Sequence, residues 1–138
     1  MAGNGRTALI TGSGKNIGRA IALYLARDGH NVVLNGSSDR EACEAVAKQA
    51  ESHGVRAVVV MGDVGKKEDC EAIAKAALDA FGTVDVLVNN AAIRPMDPFL
   101  EMPEEQWNRV IDVDFTAAFR LIRACLPGMI DKGRGRII

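Results

Sequence analysis

The sequence predicts an α/β chain built on a parallel sheet with helices on both faces. Short apolar runs alternate with amphipathic helical stretches along the chain, the order expected of βαβ units. The strand runs, such as Val32-Val33-Leu34 and Val58-Val59-Val60, are nearly continuous in β-branched and aliphatic residues, as strands covered on both faces should be. A glycine-rich turn joins the first strand to the first helix. The 138 residues are 48% apolar and 25% charged, the composition of an ordinary globular domain, with no internal repeat, low-complexity segment or interdomain linker.

Each element has its own signal. Thr7 to Thr11 is a first strand. Ile17, Ala20, Ile21, Tyr24 and Leu25 follow at helical spacing, and Gly29 ends that helix. Val32 to Leu34 forms a second strand, closed by Asn35-Gly36-Ser37. Ser38 and Glu41 have the spacing of a capping box, and the helix behind them carries Ala42, Ala45, Val46 and Ala50 on one face. Val55 to Met61 is a third strand. Cys70, Ile73, Ala74, Ala77, Leu78 and Phe81 make a helical stripe stopped by Gly82, and Val84 to Val88 is a fourth strand. Pro95, Pro98 and Pro103 punctuate a loop. One long helix is then expected from about 103 to 130, followed by a turn at Gly133 and Gly135 and the start of a fifth strand.

Several functional classes are disfavoured. The net charge is −1 with no basic face, so nucleic acid is not an expected partner. No apolar run approaches the roughly 18–20 residues of a membrane span, and the N-terminus lacks the pattern of a secretory signal. Cys43, Cys70 and Cys125 form an odd set without a CxxC pair, which suggests reduced thiols and a cytoplasmic setting. With only His30 and His53 beside them, no metal site is expected.

The most informative stretch is Thr11-Gly12-Ser13-Gly14-Lys15-Asn16-Ile17-Gly18. It lies between the first strand and the first helix of a parallel sheet, where free backbone N–H groups and the helix dipole can hold a pyrophosphate. A plain strand-to-helix turn is the alternative. A Walker loop does not fit, because Leu9 takes the first glycine position and Asn16 replaces the Ser/Thr. The common G-x-G-x-x-G spacing fails too, since the third glycine comes one place late.

The spacing instead follows T-G-x-x-x-G-x-G, with Asn16 at the middle glycine. Asp63-Val64 follows the third strand and Asn89-Asn90-Ala91-Ala92 the fourth. With the helix Trp107 to Met129 and the ending Gly135-Arg136-Ile137-Ile138, the sequence from Arg6 onward resembles the short-chain dehydrogenase/reductase family. The resemblance implies a Rossmann-type sheet and a nicotinamide dinucleotide cofactor. It implies hydride transfer between that cofactor and a carbonyl or alcohol substrate, such as a 3-oxoacyl thioester, a sugar or a small ketone.

By the same resemblance, Gly12, Ser13, Asn16, Ile17 and Gly18 line the pyrophosphate and adjoining ribose. Asp63 accepts from the adenine amino group and Val64 packs on the ring; an N-cap carboxylate is the structural alternative for Asp63. Asn90, Ala91 and Ala92 wall the ribose and nicotinamide, with Ala92 where the family has glycine. Asn35 and Ser37 stand at the end of the second strand, where an acid would favour NAD. No acid occurs there before Asp39, and Lys15 lies on the same side, so NADP is expected, with NAD as the alternative.

The long helix carries an apolar stripe of Trp107, Val110, Ile111, Ala118, Leu121, Ile122, Cys125 and Met129, and Asp114 falls inside it. A buried carboxylate needs a partner or a raised pKa. The resemblance puts Asp114 at the family's active-site asparagine; a structural carboxylate capping nearby backbone is the other reading. Phe115, Phe119 and Ile122 form a second stripe, and the resemblance implies a homodimer or tetramer through the 103–130 helix.

The family's serine and Tyr-x-x-x-Lys are absent. Tyr24 is the single tyrosine, and Asp28 follows it at four residues. Residues 1–138 are therefore expected to be an incomplete dinucleotide-binding domain, truncated after the start of the fifth strand and inactive alone. A catalytically inactive cofactor-binding or oligomerisation module is the alternative.

Overall fold

The computed structural model describes residues 3–138. Five parallel strands form one sheet in the order β3-β2-β1-β4-β5. They are β1 (Thr7–Ile10), β2 (Asn31–Gly36), β3 (Ala57–Met61), β4 (Val86–Val88) and β5 (Arg136–Ile137). The helices are α1 (Asn16–Arg27), α2 (Arg40–Glu51), α3 (Lys67–Phe81), α4 (Glu104–Ile111) and α5 (Ala117–Asp131). Strand and helix alternate in the predicted order. β3 and β4 begin two residues later than the sequence suggests, at Ala57 and Val86.

The register explains why the strands are apolar throughout. Leu9 of β1 pairs with Val33 of β2 and Leu87 of β4, and all three face a core with Ile73 and Ala77 of α3 and Leu121 and Cys125 of α5. Their neighbours Ala8, Ile10, Val32, Leu34, Val86 and Val88 face the other way, against Ala22 and Ala26 of α1 and Val46 and Ala50 of α2. Alternate side chains thus fill two separate cores.

β1 is flanked by β2 and β4, so the chain winds outward in both directions from it. Connections leaving β1 and β4 diverge to opposite faces, which opens a crevice at their carboxyl ends. Among the described residues no helix is long and apolar enough to cross a membrane.

Two local expectations change. The N-cap of α2 is Asp39, whose carboxylate accepts from the Ala42 amide at 3.0 Å, so the Ser38–Glu41 capping box does not form. The long helix is interrupted by a π-helical turn at Asp112–Thr116. Its wider turn shifts the register. The buried row is Val113, Ala117, Leu121, Cys125 and Met129. Trp107 and Ile111, expected in that row, lie on an outer row with Phe115 and Phe119. Asp114 is exposed.

Candidate functional site

A cleft of about 330 Å³ opens at the carboxyl ends of β1, β2, β3 and β4. Its floor is the turn from β1 to α1. Gly12 has φ 61° and Asn16 has φ 48°, the one non-glycine residue with positive φ among the described residues. Asparagine tolerates that left-handed backbone better than other side chains. Gly18 is required by contact: a Cβ there would stand 2.2 Å from the Gly12 carbonyl oxygen and 2.6 Å from Asn90 Nδ2.

The turn is latched to β4. Thr11 Oγ1 accepts from the Asn90 and Ala91 amides, each at 3.0 Å. Asn90 Nδ2 donates back to the carbonyls of Thr11 at 3.0 Å and Gly12 at 3.1 Å. From the β2 side, Asn35 Oδ1 accepts from the Gly12 amide at 3.4 Å, while its Nδ2 donates to the Val60 and Gly62 carbonyls, each at 3.1 Å.

The N-terminus of α1 faces this cleft with no side-chain cap and no acid in its first turn. Three of the other helices differ chemically, while α5, also uncapped and acid-free, follows directly on the π turn. α2 has its Asp39 cap, α3 begins with Glu68 and Asp69, and α4 with Glu104 and Glu105. Uncapped amides at a helix N-terminus attract an anion.

At the far end, Asp63 follows β3. Its Oδ1 accepts from the Gly65 amide at 2.9 Å and its Oδ2 from Arg109 Nη2 at 2.7 Å. Burial pushes this carboxyl up, but the Arg109 and Gly65 hydrogen bonds and the nearby positive charge hold it below the ordinary aspartate value. At the mouth, Lys15 Nζ lies 3.2 Å from Asp39 Oδ2. The Ala42 amide and then Lys15 hold the Asp39 carboxyl low.

The model of the family described as short chain dehydrogenase matches residues 6–138. The chain belongs to this family. It is 36% identical over 133 residues to a 3-oxoacyl-[acyl-carrier-protein] reductase FabG of Staphylococcus epidermidis, covering 96% of this chain and 54% of the relative. It is 41% identical over 135 residues to a D-beta-hydroxybutyrate dehydrogenase of Cupriavidus necator, covering 98% and 52%. Among solved structures, a metagenomic short-chain oxidoreductase in complex with NADP superposes with a TM-score of 0.91 at 36% identity, over 96% of this chain and 60% of that one. An L-sorbose reductase of Gluconobacter frateurii, complexed with NADPH and L-sorbose, gives 0.93 at 34% identity, over 99% and 52%. The chain spans about half the length of the curated relatives it matches.

Within this short-chain dehydrogenase frame, every residue expected at the cofactor lines the cleft except Ser13. Ser13 is fully buried and turned inward, its hydroxyl accepting from the Asn35 amide at 2.9 Å. Asn35 borders the cleft, but the residue is buried and its side chain is spent on the backbone of Gly12, Val60 and Gly62. It shapes the turn from behind. Asp63 does not cap α3, whose N-cap is Lys66. Asp114 lies outside the cleft lining; the register shift of the π turn exposes it, and its Oδ1 accepts from the Ile93 amide at 2.9 Å.

Arg109, Val113, Gly62 and Ile93 complete the lining without having been singled out in the sequence. Arg109 and Val113 come from the long helix, whose approach to the β3–α3 turn carries no local sequence signal. Thr11 belongs to the recognised motif, but its latch to Asn90 and Ala91 appears only in three dimensions.

Proposed function

We propose that this chain binds a nicotinamide dinucleotide, NADP in preference to NAD, as the cofactor-holding part of an oxidoreductase acting on a small carbonyl or alcohol substrate. The observation that carries the reading is the uncapped, acid-free N-terminus of α1, set over a turn in which Gly12 holds a left-handed backbone and Gly18 leaves no room for a side chain. That cradle suits a pyrophosphate. The bound nicotinamide would supply the hydride.

The chain's own residues would do the holding. The amides around Asn16, Ile17 and Gly18 face the phosphates. Asp63 accepts from the adenine amino group, and Val64 and Val113 wall the ring. Asn90, Ala91 and Ala92 border the ribose and nicotinamide. Lys15 and Ser37 line the mouth and would meet a 2′-phosphate there. Two solved relatives are described as NADP or NADPH complexes, in keeping with this choice. Asp114 would act as a positioning residue, ordering the wall through the Ile93 amide.

Calorimetric titration of the chain with NADPH and NADH tests the proposal. NADPH should bind the more tightly. NADH binding at least as tight would overturn the cofactor preference, and no binding of either would overturn the site.

A second reading has its own observation. Tyr24 lies on α1, 68% exposed and stacked by Arg27, outside the cleft lining and without a lysine four residues on. The 138 residues by themselves would then bind cofactor and associate with one another without turning over. The outer row of α4 and α5 would supply the homo-oligomer contact, and the three buried free cysteines suit a reducing cytoplasm.

A further inference from the structure

We infer that Arg109 is a positioning residue that presents the Asp63 carboxylate to the purine of the bound dinucleotide and thereby selects adenine over a 6-oxopurine. The inference rests on the cofactor reading above and deepens it.

The geometry is a clamp around one turn. Arg109 reaches from α4 to the turn between β3 and α3, 46 residues earlier in sequence, and donates from Nη2 to Asp63 Oδ2 at 2.7 Å. The other carboxylate oxygen is held by the Gly65 amide at 2.9 Å. Arg109 Nη1 occupies the space a Cβ at Gly65 would take, with Val113 Cγ2 2.8 Å from it, so a side chain there would displace the guanidinium. The guanidinium therefore packs directly on the turn it orients. Arg120 Nη1 holds the Gly65 carbonyl at 3.1 Å, and Asp69 Oδ2 accepts from the Asp63 amide at 2.7 Å. Asp63 and Arg109 both line the cleft.

Chemistry turns this clamp into base recognition. An ionised carboxylate only accepts hydrogen bonds and has about four lone-pair sites. The Gly65 and Arg109 bonds fix its plane and leave capacity on both oxygens. Adenine offers an exocyclic amino group as donor. Hypoxanthine offers a carbonyl oxygen at the same carbon, which faces a carboxylate as acceptor against acceptor. A protonated Asp63 would donate to that carbonyl, so discrimination depends on the charged form. Arg109 opposes the desolvation of that form, with Lys66 adding positive charge and Asp69 negative charge beside it.

The test is titration of the 138-residue chain with NADPH and with its hypoxanthine counterpart, for the parent, Arg109→Leu and Arg109→Lys. The parent is expected to favour adenine by about tenfold or more, the scale of one charge-assisted hydrogen bond. Arg109→Leu should bring that ratio close to one, and Arg109→Lys should restore part of it. A ratio unchanged in Arg109→Leu overturns the inference. Failure of the parent to bind either dinucleotide overturns the cofactor reading instead. NMR titration of the Asp63 carboxyl then judges Arg109 by itself: it should titrate at higher pH in Arg109→Leu, and an identical titration overturns the clamp. If the leucine variant does not fold, the lysine variant decides by the same two readouts.

Discussion

Gly18 is the residue at which the site tolerates least. A methyl there meets the Gly12 carbonyl and Asn90 Nδ2 well inside van der Waals contact, and these two groups are bonded to each other in the latch between the turn and β4. Gly18→Ala should therefore cost about 1–3 kcal/mol, the usual range for overpacking. It should also lose most dinucleotide affinity, because relief requires the turn to open. Urea unfolding and NADPH titration measure the two effects; an unchanged midpoint with unchanged affinity would contradict the contact. Asp63 has a different signature. Its folded pKa lies below the ordinary 3.8, so its ionised form stabilises the fold at and above that value, and the contribution is lost as pH falls through the depressed folded value. Asp63→Asn should be less stable than the parent at neutral pH. The gap should shrink as the pH falls below about 4, measured by thermal melts across that range.

At the scale of elements, the latch between β1 and β4 pairs the Thr11 hydroxyl with the Asn90 side chain. Thr11 Oγ1 serves two amides, beside a single backbone bond at that level, from the Thr11 amide to the Val88 carbonyl at 3.1 Å. Thr11→Val keeps the shape and removes the acceptor, at an expected cost of about 1–3 kcal/mol for the amides left unpaired. Faster hydrogen exchange confined first to Asn90 and Ala91 would show the latch opening; uniform exchange across the sheet would mean that it does not act locally. Such contacts mark the limit of what the sequence discloses. The strands were legible because both faces are buried and their composition shows it. The cleft floor was legible because its turn is a contiguous segment with a constrained backbone. Arg109 and Val113 were not, because they reach the site only once the long helix docks. The π turn has no residue signature either. Its extra residue moved Asp114 out of the row that simple helical counting gives it, and put Trp107 and Ile111 outside. The inward turn of the Ser13 side chain was not legible for a smaller reason: in a tight turn, one residue's orientation depends on the φ of its neighbours.

Across the whole molecule, the same register shift creates two parallel rows on one long helix. The inner row, Val113, Ala117, Leu121, Cys125 and Met129, is buried against α3 and the sheet. Burial pushes the Cys125 thiol up to about 11, in keeping with a packing role for that sulfur. The outer row repeats the four-residue step at Trp107, Ile111, Phe115 and Phe119, and Phe115 and Phe119 are 75% and 58% exposed. Single exposed apolar side chains are ordinary, but large aromatic residues aligned over successive turns form a contiguous patch that water contacts at a cost. Arg123 covers only part of it, its guanidinium 5.5 Å from the Phe119 ring. Pairing this row with its copy on a second chain removes the patch from water and keeps the cleft, on the β3–β1–β4 ends, open. Sedimentation of the chain should therefore show a species larger than a monomer. Phe115→Arg combined with Phe119→Glu should return it to a monomer with unchanged circular dichroism and unchanged NADPH affinity. Dispersal accompanied by lost helix content would assign the row to folding instead, and an oligomer that survives both changes would place the contact elsewhere.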